Sequence, residues 1–182
     1  MVERVRKFAS EILHRHGKIY KGSKIGLWYY CIHVKQLLPT FKSLDIQFGD
    51  PPKPPPWCME KDQFFGAYLA GVIDGDGDIT ISRPKYPKCK IRITSGSPSV
   101  KLSKSIEDLL GCSTSIIKQE GMKTWKDRTF KSTCYRLEFY VSRKTLDFIK
   151  DYILPQLTIT HKIEKLQKFV KFKESLLQKV SG

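Results

Sequence analysis

A chain of 182 residues can hold one domain with a sizeable core plus an appendage, but not two generous domains. Its 33 Lys and Arg against 18 Asp and Glu give a formal net charge of +15 and a pI near 9.6, which points to a polyanionic partner rather than a small-molecule substrate. Five cysteines, at 31, 58, 89, 112 and 134, form no CxxC pair, and the longest apolar run, Ile25 to Val34, is too short for a bilayer; structural zinc, a disulfide framework and a membrane span are set aside.

The positive charge is not a detachable tail: 10 basic and 5 acidic residues precede position 61, and 23 and 13 follow. An odd number of thiols suits a reducing compartment. Around Arg4, Arg6 and Lys7 stand Glu3 and Glu11, and no apolar signal region follows. An intracellular protein is expected, not a secreted one: cytoplasmic in a prokaryote, or within an organelle.

In chain order, Glu3 to His16 has helical spacing at Val5, Phe8 and Ile12, stopped by Gly17. Ile25 to Leu38 predicts a second helix ending before Pro39. Residues 1–48 thus read as a basic helical arm, with Lys18, Lys21 and Lys24 between its helices. Its Trp28, Tyr29 and Tyr30 suit either anchoring or base stacking. Residues 49–57 read as an extended linker, because Gly49 to Pro56 holds half of the ten prolines, which fix backbone dihedrals and remove amide donors.

The main domain is expected over 58–182. Asp62 offers an N-cap for a helix that runs to the glycines at 75 and 77. Asp78 to Arg83 and Lys88 to Ser95 then alternate as strands, with Ile79, Ile81, Cys89, Ile91 and Ile93 inward. Ser97 and Pro98 open a helix that Gly111 stops after Leu110. Ser113 to Gln119 and Thr133 to Val141 predict two more strands, the latter with Tyr135, Leu137, Phe139 and Val141 inward, flanking a basic loop from Gly121 to Lys131. Helices over Arg143 to Ile153 and Thr160 to Val180 complete the order.

One run joins helix to carboxylates: Leu69-Ala70-Gly71-Val72-Ile73-Asp74-Gly75-Asp76-Gly77-Asp78, preceded by Phe64-Phe65-Gly66-Ala67-Tyr68. Gly66, Ala67, Ala70 and Gly71 fall into two i,i+4 pairs, predicting one smooth face that a second helix can cross closely. In order and spacing the run resembles the signature of the LAGLIDADG homing endonucleases, departing only by Val72 at an aliphatic position and Gly75 at a small one. The resemblance covers about two-thirds of the chain, from about Lys61 onward. It implies an α+β domain with the αββαββα homing-endonuclease fold, an antiparallel β-saddle along the DNA major groove, here with an N-terminal helical extension. A single copy of the motif implies a homodimer, with Gly66, Ala67, Ala70, Gly71 and Asp74 at the interface.

Phosphodiester hydrolysis needs charge stabilisation and an activated water, both supplied by a carboxylate-held divalent metal. Asp76 is the expected ligand, at a helix C-terminus where unsatisfied carbonyls and the dipole favour a cation. The resemblance adds the carbonyl of Gly75. Magnesium suits such a site, and calcium is expected to bind without supporting cleavage. Asp74, Asp76 and Asp78 match the start of a calcium-binding loop, but Ile79 and Lys85 stand where it needs glycine and glutamate. Asp74 and Asp78 therefore read as helix-capping and turn-shaping residues.

The resemblance also places a polar residue at the end of the second strand and a lysine at the entry of the last helix; Ser95 and Lys162 are the expected auxiliary catalytic residues. Base contacts are expected from the outward strand residues Thr80, Ser82, Arg83, Lys88, Lys90, Arg92, Thr94, Lys118, Arg136 and Glu138. The expected function is a site-specific, magnesium-dependent double-strand DNA endonuclease that cuts a long, pseudo-palindromic target as a homodimer. An RNA-binding intron maturase and a catalytically silent DNA-binding protein on the same fold are the alternatives.

Overall fold

The chain divides into two units, Met1–Leu44 and Asp45–Gly182. The computed structural model describes residues 2–11, 17–21, 28–31, 38–47, 49–82, 86–125 and 128–180.

In the first unit, helix α1 (Val2–Glu11) carries exposed i,i+3 and i,i+4 ion pairs, Arg6 with Glu3 at 2.9 Å and Lys7 with Glu11 at 3.8 Å. Strands β1 (Lys18–Lys21) and β2 (Trp28–Cys31) pair antiparallel, Lys18 opposite Cys31 and Lys21 opposite Trp28. At 28–31 this corrects the helix expected over 25–38, of which 25–27 and 32–37 lie outside the described residues. Trp28, Tyr29 and Tyr30 are strand formers, and a short apolar run with no helical period is arbitrated by pairing rather than by its own pattern. Pro39 lies in the first turn of α2 (Leu38–Ser43), where a missing amide is harmless. Residues 12–16, Lys24 and the side chains of Trp28, Tyr29 and Tyr30 lie outside the described residues.

The proline-rich segment 49–57 falls within the second unit. There the Asp50 carboxylate accepts the amide of Gly96, and a 3-10 turn over Pro56–Met59 buries Cys58. Helix α3 (Asp62–Asp76) follows. Its N-cap is Lys61, with no side-chain cap, so Asp62 is the first helical residue and not the cap. Phe65, Leu69 and Ile73, spaced by four, are fully buried.

Strands β3 (Gly77–Ser82) and β4 (Lys88–Ser95), helix α4 (Val100–Leu110), and strands β5 (Thr114–Trp125) and β6 (Arg128–Val141) come next. The strands form one antiparallel sheet in the order β3-β4-β6-β5. Helix α4 starts at Val100 rather than at Pro98, and ends on Gly111 in the left-handed region (φ 62°), as a glycine stop requires. The basic loop expected over 121–131 is instead the outer part of the β5–β6 hairpin, whose pairing runs to Trp125 opposite Arg128. Continued cross-strand pairing outweighs the polar composition on which a loop was expected.

Helix α5 (Arg143–Phe148) opens with a capping box in which Thr145 Oγ1 accepts the Ser142 amide at 2.8 Å, then winds through a π turn (Ile149–Ile153) and a 3-10 turn (Leu154–Gln156). Helix α6 spans Thr160–Val180. The second unit is therefore a mixed α+β structure with a four-stranded antiparallel sheet. Its core lies between the inner sheet face (Ile79, Ile91, Ile93, Leu137, Phe139) and helical residues such as Leu69, Ile106, Ile149 and Leu166. Among the described residues no helix is long and apolar enough to cross a membrane.

Helix α3 and the π turn meet at Gly66, where an added Cβ would lie 2.7 Å from the carbonyl oxygen of Tyr152. Gly66→Ala should therefore destabilise the protein by about 1–3 kcal/mol, the usual cost of overpacking, despite the better helix propensity of alanine. Urea unfolding measures it; an unchanged midpoint would refute the close approach.

Candidate functional site

Helix α3 delivers its polar end into a fixed setting. Lys162, only 6% exposed at the start of α6, donates from its ammonium to the carbonyls of Ile73 (2.6 Å) and Asp74 (3.0 Å). The Asp74 carbonyl is among the last of the helix, which lack intrahelical donors, whereas the Ile73 carbonyl also accepts the amide of the capping Gly77; both lie at the negative end of the helix dipole. Burial pulls the Lys162 pKa below its ordinary value, opposed by the charges of Asp74, Asp78 and Asp76. Lys162 is thus neither a solvated helix-start lysine nor a free basic group, but a cap on the motif helix.

Asp74 is buried as well. Its Oδ2 accepts both the amide (2.6 Å) and the hydroxyl (2.7 Å) of Thr158, 84 positions away, and its Oδ1 is buried without a partner. Beyond these anchored groups, Gly75 and Asp76 are exposed. Asp78, expected to shape a turn, is instead in β3, where Arg92 donates to its carboxylate and Thr80 Oγ1 donates at 2.9 Å. The Arg92 bond, with help from Thr80 and Lys165, holds the Asp78 pKa below the ordinary carboxylate value. Ser95 closes β4 two residues after Ile93, the partner of Gly77. It is buried on the core face, donates to the Ser97 carbonyl at 2.7 Å and shares a 3.0 Å hydrogen bond with Ser99, so its hydroxyl holds the turn before α4.

The small residues of α3 do not share one face. Gly66, Ala70 and Asp74 form a buried line against this chain's own Tyr152 and Thr158. Ala67, Gly71 and Gly75, one position on, form a parallel exposed line, and a Cβ on Gly71 or Gly75 would meet nothing within 4 Å. Successive helical positions are about 100° apart, so two i,i+4 pairs offset by one point to different neighbours. Of the five residues expected at a dimer interface, only Ala67 and Gly71 are exposed.

On the sheet, the register puts Thr80, Ser82, Lys88, Lys90, Arg92, Thr94, Arg136 and Glu138 on the face opposite the core. Lys118 is a correction: it pairs with Tyr135, two residues from Leu137 on the same strand, and so lies on the core side. The period of two decides this, and the register was needed to fix its phase. Arg83 lies outside the described residues. Three cations of the outward face, Arg92, Lys90 and Arg136, are already engaged. Arg92 contacts Thr80 (2.7 Å) as well as Asp78; Lys90 meets Glu138 (2.8 Å) and stands 5.1 Å from the Tyr140 ring centre; Arg136 donates to Gln119 (2.7 Å). The bond to Glu138 raises the Lys90 pKa.

Thr158, Tyr152, Gln119 and Lys165, which donates to the Ile79 carbonyl at 3.0 Å, escaped the reading of the sequence because each acts through a partner remote in the chain. Among the described residues no three His, Cys, Asp or Glu side chains gather into a group that could hold a metal. No protein-family model matches the chain, and no curated protein matches it.

Asp74→Ala would take the acceptor from two donors of the half-buried Thr158, at about 1–3 kcal/mol in all; chemical denaturation should register the loss. The Asp78–Arg92 pair stabilises the fold fully above the ordinary Asp pKa of about 3.9, and that contribution disappears as pH falls below it through the depressed native value. Asp78→Asn should accordingly flatten the acid limb of the stability profile, and an unchanged limb would rule out the linkage.

Proposed function

We propose that the protein is a site-specific double-strand DNA endonuclease of the homing-endonuclease fold, acting as a homodimer on a long, pseudo-palindromic target by magnesium-dependent phosphodiester hydrolysis. The observation that carries this reading is the end of α3: an exposed Asp76 and Gly75 held in place from behind by Lys162 and by the Asp74–Thr158 bonds. The order of elements in the second unit and its antiparallel sheet with a basic outward face support it.

One exposed carboxylate with a neighbouring backbone carbonyl fits magnesium, which takes few protein oxygens and keeps waters and substrate phosphate as the rest. When bound, the ion would stabilise charge on the pentavalent phosphate and lower the pKa of the attacking water. Among the described residues no group of carboxylates closes a site around Asp76, which suits a centre shared by two copies of Asp76 and the DNA. The exposed Ala67–Gly71–Gly75 line supplies the means, since it lets a second α3 approach backbone to backbone and sets the two helix ends side by side. Lys162 cancels part of the charge that these aspartates gather.

The phosphate contacts expected of a chain with net charge +15 make affinity fall steeply with added salt. Asp76→Asn should bind duplex DNA as wild type does while cleavage falls by at least about a hundredfold, the scale of losing a charge-stabilising group. A library of duplexes with and without magnesium reads both; cutting at the wild-type rate would sink the site, binding without any cutting in magnesium would favour the silent binder, and preference for structured RNA the maturase. Gly71→Arg should abolish the dimer in sedimentation while leaving the unfolding midpoint of the chain nearly unchanged, because the position faces open space. A monomer that still severs both strands would refute the homodimer.

A further inference from the structure

Glu138 lies in the interior strand β6, on the face opposite the core, yet its side chain is only 8% exposed. Two cations cover it. Lys90 meets Oε2 at 2.8 Å, and Arg136 stands 3.6 Å from Oε1. Each of these has a second holder: Tyr140 presents its ring to Lys90, and Gln119 Oε1 accepts from Arg136 at 2.7 Å. The carboxylate is thus covered by cations of its own sheet and is not presented openly to a base. It forms instead the hub of a cluster spanning β4, β6 and β5.

Long cationic side chains have two ways to meet DNA. Left mobile, they settle on phosphates, which are numerous and carry no sequence information. Held at fixed places across a sheet, they can donate to the edges of particular bases, and less freedom is lost on binding. A guanidinium has five donors, so an Arg136 that spends some on Glu138 and Gln119 keeps others for a base.

We infer that Glu138 is a positioning residue for sequence recognition: it touches no base, and it holds Lys90 and Arg136 in register across the sheet so that they read guanine edges instead of sliding onto phosphates. Its charge also offsets theirs, which weakens attraction to DNA of any sequence and so widens the ratio of specific to nonspecific binding. This inference rests on the reading of the outward face as the duplex-contacting surface.

The test uses the full-length protein, a library of duplexes with a randomised core carried through rounds of selection, and one fixed random-sequence duplex titrated at several salt concentrations. Glu138→Gln is compared with Glu120→Gln, a charge-matched control: Glu120 holds Lys118 (2.5 Å) and Lys131 (3.0 Å) on the other face of the β5–β6 hairpin. Both changes remove one negative charge and release two cations.

Wild type should select a defined motif. E138Q should lose preference at two or more guanine positions of that motif while binding the random duplex several-fold more tightly, with a salt dependence steeper by about 0.9 for each freed cation that reaches a phosphate. E120Q should keep the motif. Gln119→Ala, which removes one holder of Arg136 without leaving a buried charge unpaired, should blur only part of the motif, and it decides the matter if E138Q does not fold. An E138Q or Q119A motif as sharp as that of wild type, or an E120Q motif blurred to the same extent, overturns the positioning role while leaving duplex recognition standing. A wild-type protein that binds no duplex overturns the proposed function, and this inference with it.

Discussion

An α-helix ends in carbonyls that no amide of its own can reach, and the rest of this site depends on how α3 resolves that constraint. The Gly77 amide still reaches the Ile73 carbonyl; the ammonium of Lys162, from another helix, joins it there and supplies the donor to the Asp74 carbonyl. Removing that ammonium from water has a cost, which the aspartates around it offset. From the other side, Asp74 ties the same helix end to Thr158. Two polar clasps from the segment that enters α6 therefore fix where α3 stops, and with it the direction in which Gly75 and Asp76 face solvent.

The same helix separates its own packing from whatever it offers to a partner. Phe65, Leu69 and Ile73 fill the core, Gly66 admits the backbone of the π turn, and Ala67, Gly71 and Gly75 leave a smooth outer line. A side chain on Gly66 would push α3 off Tyr152 and shift the clasped end; on Gly71 it would meet only solvent. Glycine is thus required at one position by the chain's own packing, and at the other by nothing within one copy of the chain.

The sheet applies a comparable division across its two faces. Inward, Ile79, Ile91, Ile93, Leu137 and Phe139 are removed from water, each contributing roughly 1.5–3 kcal/mol relative to exposure. Outward, four cations (Lys88, Lys90, Arg92 and Arg136) share the surface with two carboxylates, and three of them are held by those carboxylates and by Thr80, Tyr140 and Gln119. The outcome is a positive surface whose charges have addresses, in contrast to a cloud of mobile lysines.

The sequence by itself determined most elements of the second unit and the inward residues of β3, β4 and β6, because periods of 3.6 and 2 are local properties: α3, α6 and the alternation of β4 and β6 all follow from spacing. It also marked Asp76, since a carboxylate directly after an apolar helix is visible without any partner. Tertiary structure alone decided what Asp74, Asp78, Lys162 and Glu138 do. Their partners lie at Thr158, Arg92, Ile73 and Lys90, and no local pattern encodes a hydrogen bond to a residue that only folding brings near. The hairpin of the first unit and the core-side placement of Lys118 belong with them, because pairing and register are set by the strand alongside and not by the strand itself.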